Sequence, residues 1–159
     1  MIKVDKIISA TWIYTGEDQD KVLFDHSIAV SDQKILDIQP TIKAHEMYEA
    51  EETYQLSDHI LLPGLINVHT HSAMSLLKGY ADDLQLETWL NDYIWPAESK
   101  FVSYDFVLDG SELAIAEMIK SGITSFNDMY FYPEVTAEVC VEHGMRGNLG
   151  LVTLDFATN

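Results

Sequence analysis

The segment Leu61–Asp83, LLPGLINVHTHSAMSLLKGYADD, ends an apolar run with two histidines one residue apart, His69 and His71. Side chains two apart on a strand point to the same side, so the two imidazoles can be aimed at one point. Such a pair can chelate a metal, and imidazole suits Zn²⁺ and comparable first-row ions. An isolated His-x-His is more often part of a solvated loop than a ligand pair. Here a Pro63-Gly64 turn and the strand-like stretch Leu65-Ile66-Asn67, expected to be buried, lead into the histidines, and a loop needs neither.

The elements that must position this pair change character near Leu61. Before it, the runs KIISATWIY, SIAVSDQKILDIQP and TYQLSDHILL are separated by polar turns such as Ser31-Asp32-Gln33-Lys34, which predicts a small β layer over residues 1–60. The acidic cluster Glu49, Glu51 and Glu52 reads as a solvated connector inside that layer. From Leu61 onward, a buried strand over about residues 60–68 leads into helical sequence. A helix over about residues 104–121 stops at Gly122, and ITSFNDMYF reads as a second strand. Pro133 suits the first turn of a helix running to Gly144, and RGNLGLVTLDF reads as a third strand. The order β, α, β, α, β implies a parallel sheet with helices outside it, an α/β fold. In a β/α barrel the C-terminal strand ends form the face where active sites lie, which is where His69 and His71 fall.

Charge excludes two classes of partner. Lys and Arg number 9 against 26 Asp and Glu, a formal charge of −17 that repels a nucleic-acid backbone and an anionic membrane surface alike. No apolar run approaches the length of a membrane span. The opening MIKVDKIISATWIYTG alternates like a strand where a signal peptide would show a continuous apolar core, so a cytoplasmic location is expected. The single cysteine, Cys140, cannot form an internal disulfide and reads as a small apolar filler in the helix-like TAEVCVEHG.

The string LPGLINVHTHSAMSLLKGYADDLQLETWL, with IWPAE (Ile94–Glu98), GITSFNDMY (Gly122–Tyr130) and EHGMRG (Glu142–Gly147), resembles the amidohydrolase superfamily. The likeness is to its branch of aminohydrolases and chlorohydrolases acting on purines, pyrimidines and triazines. Within that branch, His-Thr-His, Ala-Asp-Asp-Leu, Trp-Leu and Pro-x-Glu repeat the pattern of the 5-methylthioadenosine/S-adenosylhomocysteine deaminases. The N-terminal IAVSDQKILDI looks like the strand-turn-strand that precedes the barrel in that family. The resemblance implies the N-terminal part of a metal-dependent (β/α)8 TIM-barrel hydrolase, preceded by a layer of a composite β-sandwich, with the barrel's first β/α units over residues 61–159. It implies hydrolytic deamination of an adenosine-type nucleoside by a water activated on one divalent ion, Zn or Fe. By this likeness His69 and His71 are metal ligands, Glu98 reaches the ribose hydroxyls and Trp89 closes the pocket over the substrate.

Each of these residues also has a plainer explanation. A carboxylate at Glu98 is favoured at a helix start by the macrodipole. Trp89 shares an apolar helix face with Leu90, Tyr93 and Ile94. Asn127-Asp128 reads as a turn-forming pair at a strand end. His143 precedes a C-cap glycine where the helix dipole favours it, and it is read as structural. His26, His45 and His59 fall in or beside the N-terminal layer. Met74 and Leu77 line either a pocket or a buried helix face.

The family pattern also calls for two histidines on later strands, a glutamate three residues past one of them and an aspartate on the last strand. Three strands of a barrel's eight are counted, and a barrel needs about 250 residues, so the chain is expected to be truncated and by itself inactive. Methylthioadenosine-type deaminases often carry an arginine shortly beyond Arg146, and GNLGLVTLDFATN has none, which leaves the 5′ substituent of the substrate open. A guanine, cytosine or triazine aminohydrolase and a noncatalytic metal-binding β/α module remain as alternatives, and a homo-oligomer is compatible with either class.

Overall fold

The computed structural model describes residues 1–17 and 21–153. Two compact units divide the chain at Pro63/Gly64, Met1–Pro63 and Gly64–Asn159.

The first unit is a four-stranded sheet of β1 (Ile2–Tyr14), β2 (Val22–Ser31), β3 (Lys34–Pro40) and β4 (Tyr48–Leu61), in the order β3-β2-β1-β4. β1 runs antiparallel to β2 and parallel to β4. Asp32 and Gln33 join β2 to β3 with φ of 51° and 62°, two successive positive values whose twist matches that of the strands they connect. Val4, Ile7, Ala29 and Tyr48 pack with Ala44 of α1 (Thr41–Met47), while Ala10, Ile13 and Ile28 form a second cluster. Two expectations change here. α1 is a helix within the expected β layer, and its seven residues are too few for a helical period to show. Glu49, Glu51 and Glu52 lie within β4 and are not a connector. Among the described residues β4 is an outer strand bonded only to β1, so its charged side chains stand in water, and Glu52 takes Lys6 across the pair at 3.2 Å.

The second unit contains three parallel strands, β5 (Leu65–Thr70), β6 (Ile123–Met129) and β7 (Arg146–Gly150), in the order β5-β6-β7. A 3₁₀ turn (Ser72–Leu77) follows β5. Then α2 (Leu86–Thr88) runs through a π-helical segment (Trp89–Ile94) into α3 (Trp95–Phe101). Pro96 has no N–H to donate, so a regular α-helical ladder cannot pass through this point. α4 (Tyr104–Lys120) is capped by Ser103, whose Oγ accepts from the Phe106 N–H at 3.2 Å, and it stops at Gly122 with φ of 76°. α5 (Pro133–His143) stops at Gly144 with φ of 67°.

The core joins α4, α5 and β6 through Ala114, Ile115, Met118, Phe126, Val139, Cys140 and Met145. Cys140 is the apolar filler expected of it, and burial pushes its thiol above the usual range. A second cluster, Ala73, Val107, Tyr130 and Val135, lies under the strand ends. Gly110 makes this packing possible: a Cβ there would meet the Ala73 carbonyl oxygen at 2.5 Å, so a side chain would push α4 off the turn that follows the histidines.

The strand entering the histidines is not buried as expected. It begins at Leu65, and Ile66 and Val68 are 69% and 75% exposed. The reason is its place in the sheet: among the described residues β5 is an outer strand bonded to β6 alone, while α4 and α5 pack on β6 and β7. The third strand closes at Gly150, and residues 154–156 of the expected strand lie outside the described residues. No described helix is long and apolar enough to cross a membrane.

Candidate active site

His69 and His71 stand at the C-terminal end of β5, His69 within the strand and His71 just before the 3₁₀ turn. Their ring centroids are 5.1 Å apart with planes at 83°. The Nδ1 of His71 lies 2.6 Å from the main-chain oxygen of Met129. A carbonyl oxygen can only accept, so Nδ1 carries the hydrogen and Nε2 keeps the lone pair that a ligand needs. The His69 amide donates to Asn67 Oδ1 at 3.2 Å, which adds a local tie to the same strand end.

Asp128 holds both neighbours of His71. It faces Thr70 across the β5/β6 pair and is 3% exposed. Its Oδ1 accepts from Thr70 Oγ1 and from the Ser72 amide, each at 2.9 Å, and its Oδ2 accepts from Ser72 Oγ at 2.6 Å. The hydroxyl network continues inward from Ser72 to Ser111 at 3.4 Å and from Ser111 to Thr136 at 3.1 Å. A carboxylate buried among hydroxyls and an amide is sustained by these donors. This corrects the reading of Asn127-Asp128 as a turn pair. Both residues belong to β6, because strand pairing on either side overrides the turn preference of their types.

Glu98 and Tyr130 complete the constellation. Tyr130 follows β6, is 7% exposed and donates from its hydroxyl to Glu98 Oε1 at 2.7 Å. Its ring lies 6.5 Å from that of His71 and 5.2 Å from that of Phe131. Burial raises the Glu98 carboxyl above the usual carboxylate range, while the hydrogen bond from the Tyr130 hydroxyl acts in the opposite direction. Burial and then the bond to Glu98 hold the Tyr130 phenol far above its ordinary value, which keeps it a donor. Glu98 lies in the first turn of α3, as a macrodipole reading also requires, but its side chain is engaged with the strand end.

Trp89 begins the π-helical segment, a kind of irregularity found often at functional sites. It is half-buried. Among the described residues no hydrogen bond or ring contact joins it to the histidines or to Glu98. Of its expected helix face only Ile94 is buried. Met74 packs against the cluster under the strand ends. Tyr130 and Asp128 are the members that sequence reasoning missed. The available signal was an acid and a tyrosine closing the strand ITSFNDMYF.

The amidohydrolase family profile matches residues 60–157. The chain belongs to the amidohydrolase family. This amidohydrolase chain is 46% identical over 155 residues to a 5-methylthioadenosine/S-adenosylhomocysteine deaminase of Saccharophagus degradans, covering 97% of this chain and 34% of that protein. It is 47% identical over 129 residues to a 5′-deoxyadenosine deaminase of Methanosphaera stadtmanae, covering 81% of this chain and 29% of that one. Among solved structures, an adenosine deaminase from Xanthomonas campestris with bound zinc superposes with a TM-score of 0.93 at 42% identity, over 99% of this chain and 36% of that one. A guanine deaminase of E. coli shares the fold, with a TM-score of 0.78 at 17% identity over 97% of this chain and 39% of the other. The amidohydrolase chain thus spans about a third of the length of the curated relatives it matches.

Proposed function

We propose that this protein is a metal-dependent hydrolytic deaminase of adenosine-type nucleosides, with 5′-methylthioadenosine, S-adenosylhomocysteine and adenosine as the substrate class. Water replaces the exocyclic amine of the purine, and ammonia and the inosine-type product leave. The first unit then belongs to a β-sandwich layer and the second to the opening β/α units of a (β/α)8 barrel, a reading supported by the exposed outer strand β5.

The observation that carries the proposal is the pair of strand-end histidines with one ring already tied to a main-chain acceptor. Two imidazoles bound at ~2.1 Å to one tetrahedral ion would hold their centroids about 5 Å apart, and the observed spacing fits that requirement. The tie at Nδ1 commits His71 to offering Nε2, the arrangement usual for a ligating histidine. His69 and His71 would therefore hold the ion, with zinc, the metal of the Xanthomonas campestris relative, as the expected occupant. When bound, such an ion lowers the pKa of a water so that a nucleophile is available near neutral pH.

The remaining roles belong to the chain's own side chains. Glu98 has Oε1 engaged by Tyr130 and Oε2 without a partner among the described side chains, so it can accept hydrogen bonds from the vicinal 2′ and 3′ hydroxyls of a ribose. Trp89, on the segment leading to α3, would cover the substrate. The test is ammonia release from a panel of purine nucleosides by the full-length protein, and the deciding comparison is adenosine against 2′-deoxyadenosine. Hydrogen bonds to a charged group contribute roughly 1.5–3 kcal/mol, so Glu98→Ala should lower kcat/KM for adenosine by about 10- to 100-fold and reduce the preference for the riboside. No ammonia release from any adenosine-type nucleoside would refute the proposal, and an unchanged preference in the variant would remove Glu98 from sugar recognition.

A further inference from the structure

We propose that Tyr130 is a positioning residue for Glu98, and that through it the rigid strand end carrying His71 sets the protein's preference for ribosides. The inference rests on Glu98 reading the sugar and adds what holds Glu98 in place. Glu98 belongs to a seven-residue helix that follows a π-helical segment, and its side chain is only partly buried. A glutamate in such a setting has several rotamers of similar energy, so a defined orientation requires an outside partner. The Tyr130 hydroxyl is that partner, at 2.7 Å from Oε1.

Tyr130 is suited to the task because its own position is fixed. Its ring is packed with Ala73, Val107 and Val135, meets Phe131 edge-on at 5.2 Å and lies 6.5 Å from the ring of His71. Tyrosine has only two side-chain torsions, and here both are constrained by packing, so its hydroxyl works as a fixed post. The residue before it, Met129, supplies the main-chain oxygen that orients His71. Two consecutive residues at the end of β6 thus fix two groups of different function, one by its backbone and the other by its side chain. The separation between the metal pair and the sugar-reading carboxylate is set by that dipeptide. Because Tyr130 engages Oε1, the syn and anti positions of Oε2 remain for the ligand.

The test is Tyr130→Phe in the full-length protein, a change that keeps the ring and its packing and removes only the donor. KM for adenosine should rise about 3- to 10-fold, the size expected when a binding group must be ordered anew in each encounter, while kcat changes less than KM and bound metal is retained. The adenosine to 2′-deoxyadenosine ratio of kcat/KM should fall towards its value in Glu98→Ala. The double variant Tyr130→Phe/Glu98→Ala should be no worse than Glu98→Ala alone, because a post with nothing to hold has no further effect. Equilibrium binding of inosine and 2′-deoxyinosine gives the same comparison without turnover, and the wild-type preference for inosine should shrink in Tyr130→Phe. If Glu98→Ala lowers the ratio and Tyr130→Phe leaves both ratio and binding preference unchanged, the positioning role is overturned while sugar recognition by Glu98 stands. If neither variant moves the ratio, both are overturned together.

Discussion

Among the described residues, the second unit brings side chains able to ligate a metal together in two places, and the two differ in how firmly those side chains are held. At the strand end, His69 and His71 project from one strand, with a main-chain oxygen on one ring and a buried carboxylate bonded to both neighbours of His71. On the outer surface, Glu112 of α4 approaches Glu142 and His143 of α5 closely enough that one ligating atom from each lies within 4.8 Å of the others. All three are exposed, and among the described residues no side-chain hydrogen bond orients them. To bind an ion they would have to lose their rotamer freedom at the moment of binding, and two carboxylates would have to be brought together without a prior counter-charge. Proximity of donor atoms is common on an acidic protein. A prepaid orientation is rare, and it is what separates the strand end from the surface cluster.

The sharpest way to break this comparison is to remove a ligand. His71→Ala in the full-length protein should abolish bound zinc and bring ammonia release to background, since water cannot replace an oriented imidazole. Elemental analysis at full occupancy, together with normal turnover, would show that the strand end is not the metal site.

A smaller effect is expected from the support behind it. Asp128→Asn keeps one acceptor oxygen and replaces the other by a donor facing Ser72, so the hold on His71 should loosen without being lost. Zinc affinity measured by chelator competition should fall by about 10- to 100-fold, as is typical when a group behind a ligand is altered. Unchanged affinity with a lowered melting temperature would assign Asp128 to the fold alone.

The smallest effect belongs to the surface. The triple change Glu112→Gln, Glu142→Gln, His143→Gln should leave zinc stoichiometry and kcat/KM where they were and alter stability by no more than about 0.5 kcal/mol. Loss of a metal equivalent in that variant would make the surface cluster a genuine site and erase the distinction.

What the sequence disclosed follows the range of the interactions involved. The His-x-His spacing is legible because strand periodicity is local, and the ends of α4 and α5 are legible because Gly122 and Gly144 mark them. The hairpin turn at Asp32-Gln33 falls in the same class. Asp128 is not legible because its partners Thr70 and Ser72 are more than fifty residues away and meet it only through strand register. Tyr130 is hidden for the same reason, its partner Glu98 being 32 residues away on a short helix. The acidic run of β4 reads as a connector because composition argues for solvent, and its exposure is real. Pairing with β1 makes it a strand all the same.

The acceptor that orients His71 belongs to the main chain, and this has a consequence for the history of the site. No exchange of side chain at position 129 can delete a carbonyl oxygen, and the Met129 side chain itself is half exposed to water. The position is therefore free to drift as far as this hydrogen bond is concerned, and its identity in a set of relatives would carry no record of the service it performs. A slip of β6 against β5 by one residue would instead remove the acceptor at once, and would carry Asp128 away from Thr70 in the same movement. The orientation of His71 is inherited through register, and selection on it acts on whatever keeps two strands in step.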